Sequence, residues 1–188
     1  MNLKRILAVA LTAAIAVSAF TACSGAQGGD DGVKVISSES SAQGTAQAHI
    51  ANIDDEGYVL EVNGTKIRVN TDAKDVIAAL GDDYIYFEAP SCAGIGMSKT
   101  YTYNNAAFVI NTVPVGNIDL ISNVGIFLDT VTTPEGIFIG SSKDDVIAAY
   151  GQPTSDVGDT LVYEKNDTML VISMNEGVVA GIAYNQIV

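Results

Sequence analysis

Asp75-Val-Ile-Ala-Ala-Leu-Gly81 and Asp145-Val-Ile-Ala-Ala-Tyr-Gly151 are one heptapeptide written twice, identical at six of seven positions. Each copy follows a residue suited to cap a helix, Asp72 in the first and Ser142 in the second, with an acid three positions further on. A capping oxygen there accepts from the free amides of the first turn, and the acid complements the positive end of the helix dipole. Val76, Ile77 and Leu80, and in parallel Val146, Ile147 and Tyr150, fall at i, i+1 and i+4 and make one apolar stripe. The glycine supplies the left-handed position that ends each segment. The spacing therefore predicts helices over Ala73–Leu80 and Lys143–Tyr150. Two turns do not hold themselves together in water, so each must lean on a sheet built from the residues C-terminal to it.

Strand signals surround both copies. Ahead of the first, Tyr58–Val62 and Thr65–Val69 flank Asn63-Gly64, the sharpest short-range hairpin cue. A two-residue turn sets Leu60 opposite Ile67 and Tyr58 opposite Val69 on one face, with Glu61 facing Lys66 on the other. After the first helix come strand candidates at Tyr84–Glu88, Lys99–Tyr103, Ala107–Thr112 and Leu120–Leu128. After the second come Thr160–Lys165, Thr168–Met174 and Val178–Ile187, turning at Asn166-Asp167 and Asn175-Glu-Gly177. Thr100–Tyr103 matches Thr160–Tyr163 and Phe108–Ile110 matches Leu170–Ile172, so the duplication covers helix and meander together. The expected class is α+β: two tandem helix-plus-antiparallel-meander repeats, preceded by a β-hairpin. The first unit would occupy residues 49–130 with the hairpin and the second 131–188.

The two Asp-Val-Ile-Ala-Ala helices ending in Gly, the entry Thr133-Pro-Glu-Gly-Ile-Phe-Ile-Gly140, and Phe87–Cys92 with Lys99–Tyr103 resemble tandem-repeat lipoproteins of the β-lactamase inhibitory protein-like (BLIP-like) fold. More distantly they resemble the small outer-membrane-assembly lipoproteins. The likeness covers about residues 56–188 and implies a curved meander carrying short helices. It brings no catalytic motif with it. The inhibitor is held by disulfides that this chain cannot make, so inhibition of a β-lactamase does not follow.

At the N-terminus, Lys4 and Arg5 precede an uncharged, largely apolar run from Ile6 to Phe20 and then Thr21-Ala22-Cys23. This resembles a bacterial lipoprotein signal with its lipobox, Phe20 standing where leucine is commoner. The run is short and wrongly flanked for a spanning helix. On this reading residues 1–22 are removed and Cys23 is the lipid attachment site, its acyl chains anchoring the protein outside the cytoplasm on the membrane of a Gram-positive cell surface. The alternatives are an ordinary signal cleaved elsewhere, with Cys23 incidental, and a single-pass anchor. Residues 23–48, rich in Gly, Ser, Ala and Gln, read as a flexible tether, with Val33–Ile36 a weak edge strand. With Cys23 lipidated, Cys92 has no partner and the core must hold by packing.

The chain carries a formal charge of −13, and removing the signal takes away two bases and no acid. Nucleic acid and anionic lipid surfaces would be repelled, so neither is expected as a partner. The only histidine, His49, lies at the end of the tether. A Cys92–His49 nucleophile pair competes with a plainer reading of Cys92 as a small buried hydrophobe beside a turn. Asp30-Asp31, Asp54-Asp55-Glu56, Asp82-Asp83 and Asp144-Asp145 lack the spacing of a calcium loop and read as turn or helix-start residues. Gly94-Ile-Gly96 has no lysine or helix placed to make a phosphate loop. Neither a cofactor nor a metal is expected.

Aromatic surface is what remains. Tyr101 and Tyr103 align with Leu161 and Tyr163, which favours core. If Ile85 and Phe87 face the helix, Tyr84 and Tyr86 emerge on the open side, where rigid aromatic area anchors partners, unless they only cover a sheet edge. The Pro90–Gly96 loop has no close equivalent in the second unit. The candidate partner surface is thus Tyr84, Tyr86, Ser91, Cys92, Ile95 and Met97. The expected function is a membrane-anchored module that binds a protein or an envelope polymer through its exposed sheet. An envelope hydrolase with carboxylates not locatable in sequence, and a purely structural scaffold, are the other readings.

Overall fold

The computed structural model describes residues 49–92 and 95–187. The expected signal, Cys23, the tether and the Val33–Ile36 strand lie outside the described residues. The Asn-Gly cue makes its hairpin: β1 (Leu60–Val62) pairs with β2 (Thr65–Ile67) in the register Leu60–Ile67, Glu61–Lys66. Asn63 and Gly64 both take positive φ, 51° and 80°, the left-handed pair that a tight hairpin needs. Then follow α1 (Ala73–Leu80), β3 (Tyr84–Pro90), β4 (Met97–Tyr103), β5 (Phe108–Val115) and β6 (Ile118–Ile126). After a long loop come α2 (Lys143–Tyr150), β7 (Ser155–Val157), β8 (Thr160–Lys165), β9 (Thr168–Asn175) and β10 (Val178–Gln186).

Both helices begin and end as their sequences dictate. Asp72 accepts from the Lys74 amide, and Ser142 forms a full capping box with Asp145. Gly81 and Gly151, at φ 83° and 81°, donate their amides to Ile77 and Ile147 and close the last turns. Each cap residue also bridges to a strand, Asp72 to Leu120 and Ser142 to Val178. The duplicated segment is thereby fixed to β6 in one copy and to β10 in the other.

The expected fold class is overturned. Instead of two α+β repeats, strands β3-β4-β5-β6-β10-β9-β8-β7 form one antiparallel sheet of eight, and the molecule is mostly β. The cause lies in β6 and β10, whose backbones pair from Asn123–Asn185 to Ile126–Ile182 and run the two meanders into a single surface. Two helices of eight residues each cannot define a layer against so much sheet. The three-residue β7, masked in sequence by Pro153 and Gly158, adds a strand that periodicity did not reveal.

One face of the sheet is covered. Tyr101, Tyr103, Phe108, Ile110, Val124, Ile126, Leu161, Tyr163, Leu170, Ile172, Ile182 and Tyr184 are buried in a single cluster with Leu60, Ile67, Val69, Val76, Ile137 and Val146 from the hairpin, helices and connecting loop. Tyr103 stacks on Phe108, ring centroids 4.9 Å apart. Burying side chains of this size contributes about 1.5–3 kcal/mol each. The residues that alternate with them point to the other face, where no described element packs.

Candidate functional site

Register defines the open face row by row. One row crosses the sheet as Phe87–Thr100–Asn111–Asn123–Asn185–Met169–Glu164, the next as Ile85–Thr102–Val109–Gly125–Ala183–Val171–Val162–Ser155. The first row is linked by side chains. Thr100 Oγ1 donates to Asn111 Oδ1 at 2.8 Å, Asn111 Nδ2 to Asn123 Oδ1 at 3.0 Å, and Asn123 Nδ2 to Asn185 Oδ1 at 2.9 Å. Each amide keeps spare hydrogen-bonding capacity for a ligand. The second row is apolar or small. In the two rows only Glu164, near the far edge, carries a charge, although the chain as a whole stands at −13.

Three large apolar side chains stand on this face. Ile85 is 71% exposed, Phe87 63% and Phe127 54%. A Cβ at Gly125 would lie 2.9 Å from the Phe127 ring, so the ring lies over that glycine. Exposed aromatic area on a surface depleted of charge is the compositional mark of an interface core.

The sequence placed the wrong pair of β3 side chains here. Tyr84 and Tyr86 lie opposite Tyr103 and Tyr101, on the covered side, and make edge and tilted contacts with them at 5.1–5.4 Å. Ile85 and Phe87 therefore point outward. The inversion follows from Tyr101 and Tyr103, which are core as the repeat comparison suggested and draw the tyrosines of their neighbour strand with them. Tyr86, still 45% exposed, donates its hydroxyl to the Glu88 carboxylate. That hydrogen bond, with Glu88's charge, holds the phenol far above its ordinary value. Burial pushes Tyr103 up to about 12. Neither phenol serves as a base near neutrality.

The remaining candidates cluster at the tip of the β3–β4 hairpin. Met97 pairs with Pro90, Ser91 donates its amide to the Gly96 carbonyl at 3.0 Å, and Ile95 is fully exposed. Cys92 is exposed and unbridged, not the buried hydrophobe expected. Beside the tip a shallow depression of about 390 Å³ is lined by Glu88, Met97, Pro114 and Ile118, with Lys99 bonded to Asp119 at 2.7 Å. The Asp119 hydrogen bond raises the Lys99 ammonium's affinity for its proton. Tyr84 sits at the other end of the strand, so the six residues do not form one surface.

His49 is 3.9 Å from Asp167. Asp167 is the acceptor of a deeper network that the sequence did not reveal. Arg68, 1% exposed, gives it Nη1 at 3.1 Å and Nη2 at 2.5 Å, and Asn70 adds Nδ2 at 2.8 Å. Arg68 also reaches the carbonyls of Val69 and Glu56. The network ties the β1–β2 segment to the β8–β9 turn and is occupied by its own partners. Among the described residues, no group of His, Cys, Asp or Glu is arranged to hold a metal, and no helix is long and apolar enough to cross a membrane.

No family model matches the sequence, and no curated protein matches it significantly. Among solved structures, the uncharacterized protein YfeY from Escherichia coli is similar at 14% identity and a TM-score of 0.39, over 60% of this chain and 88% of that one. A likeness at this level assigns neither family nor activity.

Proposed function

We propose that the protein is a binding module whose open sheet face docks an envelope partner of low charge, a protein or a neutral wall polymer. One observation carries this reading: Ile85, Phe87 and Phe127 stand exposed around a hydrogen-bonded amide row, in two rows of the sheet whose one charged residue is Glu164. Burying those side chains releases apolar area, while the amides give orientation through their unused donors and acceptors. An anionic polymer would be repelled by the acidic chain, which narrows the partner to a neutral or basic one.

The N-terminal sequence supports placing this module outside the cytoplasm. Cleavage before Cys23 and lipidation there would anchor the chain to the cell membrane of a Gram-positive surface, with residues 23–48 giving reach. The test compares recovery of envelope proteins and wall polymers by the wild type and by the Ile85→Ala/Phe87→Ala variant. Loss of one recovered component with the variant is the expected result. Equal recovery by both chains would remove the face from consideration.

A further inference from the structure

We propose that the free edge of β3 pairs antiparallel with β3 of a second copy, joining two eight-stranded sheets into one of sixteen. The two edges of the sheet differ. β7 has three residues, follows Pro153, and carries Asp156 bonded to Lys143 at 2.7 Å. Short length, proline and charge are the usual ways of blunting an edge. β3 has seven residues, holds its proline, Pro90, only at the last position and its one charge, Glu88, in a hydrogen bond from Tyr86, pairs only with β4 among the described strands, and exposes Ile85, Tyr86, Phe87 and Glu88 in succession. A strand with a neighbour on each side would hide alternate residues. Four exposed in a row mark one whose flank is open to both faces. Its outer amides and carbonyls, unpaired among the described residues, are a template for another strand.

The sequence of β3 is complementary to itself. With Tyr86 on a two-fold axis perpendicular to the sheet, Ile85 lies opposite Phe87 of the second copy, and this contact occurs twice on the open face. On the covered face Glu88 lies opposite Tyr84, and on the open face Asp83, just before the strand, lies opposite Ala89, so no carboxylate directly opposes another. Shifting the register by one residue would set open-face side chains against covered-face ones and is excluded by the pleat. Repulsion between the two acidic chains is screened beyond about 8 Å at physiological salt. Because the blunted β7 edge offers no second site, the association closes at two copies instead of growing into a filament. It doubles the open face without covering it and stands whether or not that face has a partner.

Disulfide capture in the full-length chain tests the pairing. Residues directly opposed in an antiparallel pair lie about 4.5–5.5 Å apart at Cα, within reach of a disulfide. Tyr86→Cys is made in a Cys92→Ser parent, which keeps Cys23 and serves as the blank; Val157→Cys on the β7 edge is the control. Mild oxidation is expected to give at least ten-fold more covalent dimer from Tyr86→Cys than from blank or control. Adding Phe87→Lys is expected to abolish it while leaving the far-UV dichroism spectrum unchanged, Phe87 being an exposed side chain. Independently, the otherwise native chain should sediment as two copies and its Phe87→Lys variant as one. Capture no greater than the blank, or a native chain that sediments as one copy at 100-micromolar order, overturns the proposal.

Discussion

Arg68 and Asp167, 99 positions apart in the chain, form a two-point ion pair in which the guanidinium is buried and the carboxylate is 19% exposed. Removing one partner from such a pair leaves the other charge stranded. Asp167→Asn keeps the shape and strands Arg68, whose Nε already lacks a partner. The expected loss is about 3–5 kcal/mol in urea denaturation. Arg68→Met, which fills the same space without a charge and leaves an acid that water can reach, is expected to cost less. A variant Asp167→Asn within about 1 kcal/mol of wild type would mean that the pair does not clamp the hairpin.

The same pair sets an acid limb. Burial alone would raise the Asp167 carboxyl, but the hydrogen bonds from Arg68 and Asn70 outweigh it and hold the group below its ordinary value. A carboxylate with a depressed folded value contributes stability that is complete above its unfolded value, about 4. That contribution is lost as pH falls through the lowered folded value. Stability followed by denaturant midpoint should therefore decline below about pH 4, and the decline should be shallower in Asp167→Asn.

Gly57 lies against this network. A Cβ there would meet Arg68 Nη2 at 2.8 Å and the Thr168 methyl at 2.9 Å. Arg68 is held by four acceptor contacts and Thr168 is fully buried, so neither gives way easily. Gly57→Ala is expected to cost about 1–3 kcal/mol, as overpacking does elsewhere. Gly177→Ala, at φ 83° with open space around it, would lose stability through backbone strain alone. A crystal structure of Gly57→Ala should show Arg68 displaced from Asp167.

The local grammar was open to sequence reading and the assembly was not. Asp72, Ser142, Gly81 and Gly151 bound their helices because caps and left-handed termini act over one turn. Asn63-Gly64 set its own register for the same reason. The pairing of β6 with β10 joins residues about sixty apart through backbone alone and leaves no pattern in either strand, so the sequence reads as two α+β repeats and not as one eight-stranded sheet. The β3 alternation was visible, but its sign was not. A strand with tyrosines on one parity and Ile85 and Phe87 on the other offers two apolar faces, and only the neighbours Tyr101 and Tyr103 decide which is buried. Asn111, Asn123 and Asn185 are lone asparagines in sequence and become a row only in the sheet. A search for polar residues at matching parity in adjacent strands would have found them.

The amide row can be interrupted at its middle. Asn123 accepts from Asn111 and donates to Asn185 and to the Tyr184 carbonyl. Asn123→Ala removes these bonds on a face that water reaches, so about 0.5–1.5 kcal/mol is the expected loss of stability. Partner recovery is expected to fall much further. Asn123→Asp keeps an acceptor for Asn111 but loses the donors to Asn185 and the Tyr184 carbonyl and places a charge at the centre of the face, so it should abolish recovery of a neutral partner at a stability cost no smaller than that of Asn123→Ala.

Gly125 separates packing from recognition most cleanly. It lies on the open face between Val109 and Ala183, its backbone is extended, and Phe127 rests its ring on the place a side chain would fill. The obstructing atoms are Cε2 and Cζ, the far end of a side chain that is 54% exposed and free to rotate away. Gly125→Ala should therefore cost little, and can gain a few tenths of a kcal/mol by reducing the freedom of the unfolded chain. What it changes is the face, because Phe127 must leave its seat over the second row. If Phe127 is a contact residue, Gly125→Ala and Phe127→Ala lower partner binding to the same degree, and the double variant is no worse than either alone. Additive losses in titration calorimetry with the recovered partner would show that Gly125 and Phe127 act separately, and the seat over Gly125 would then have no part in recognition.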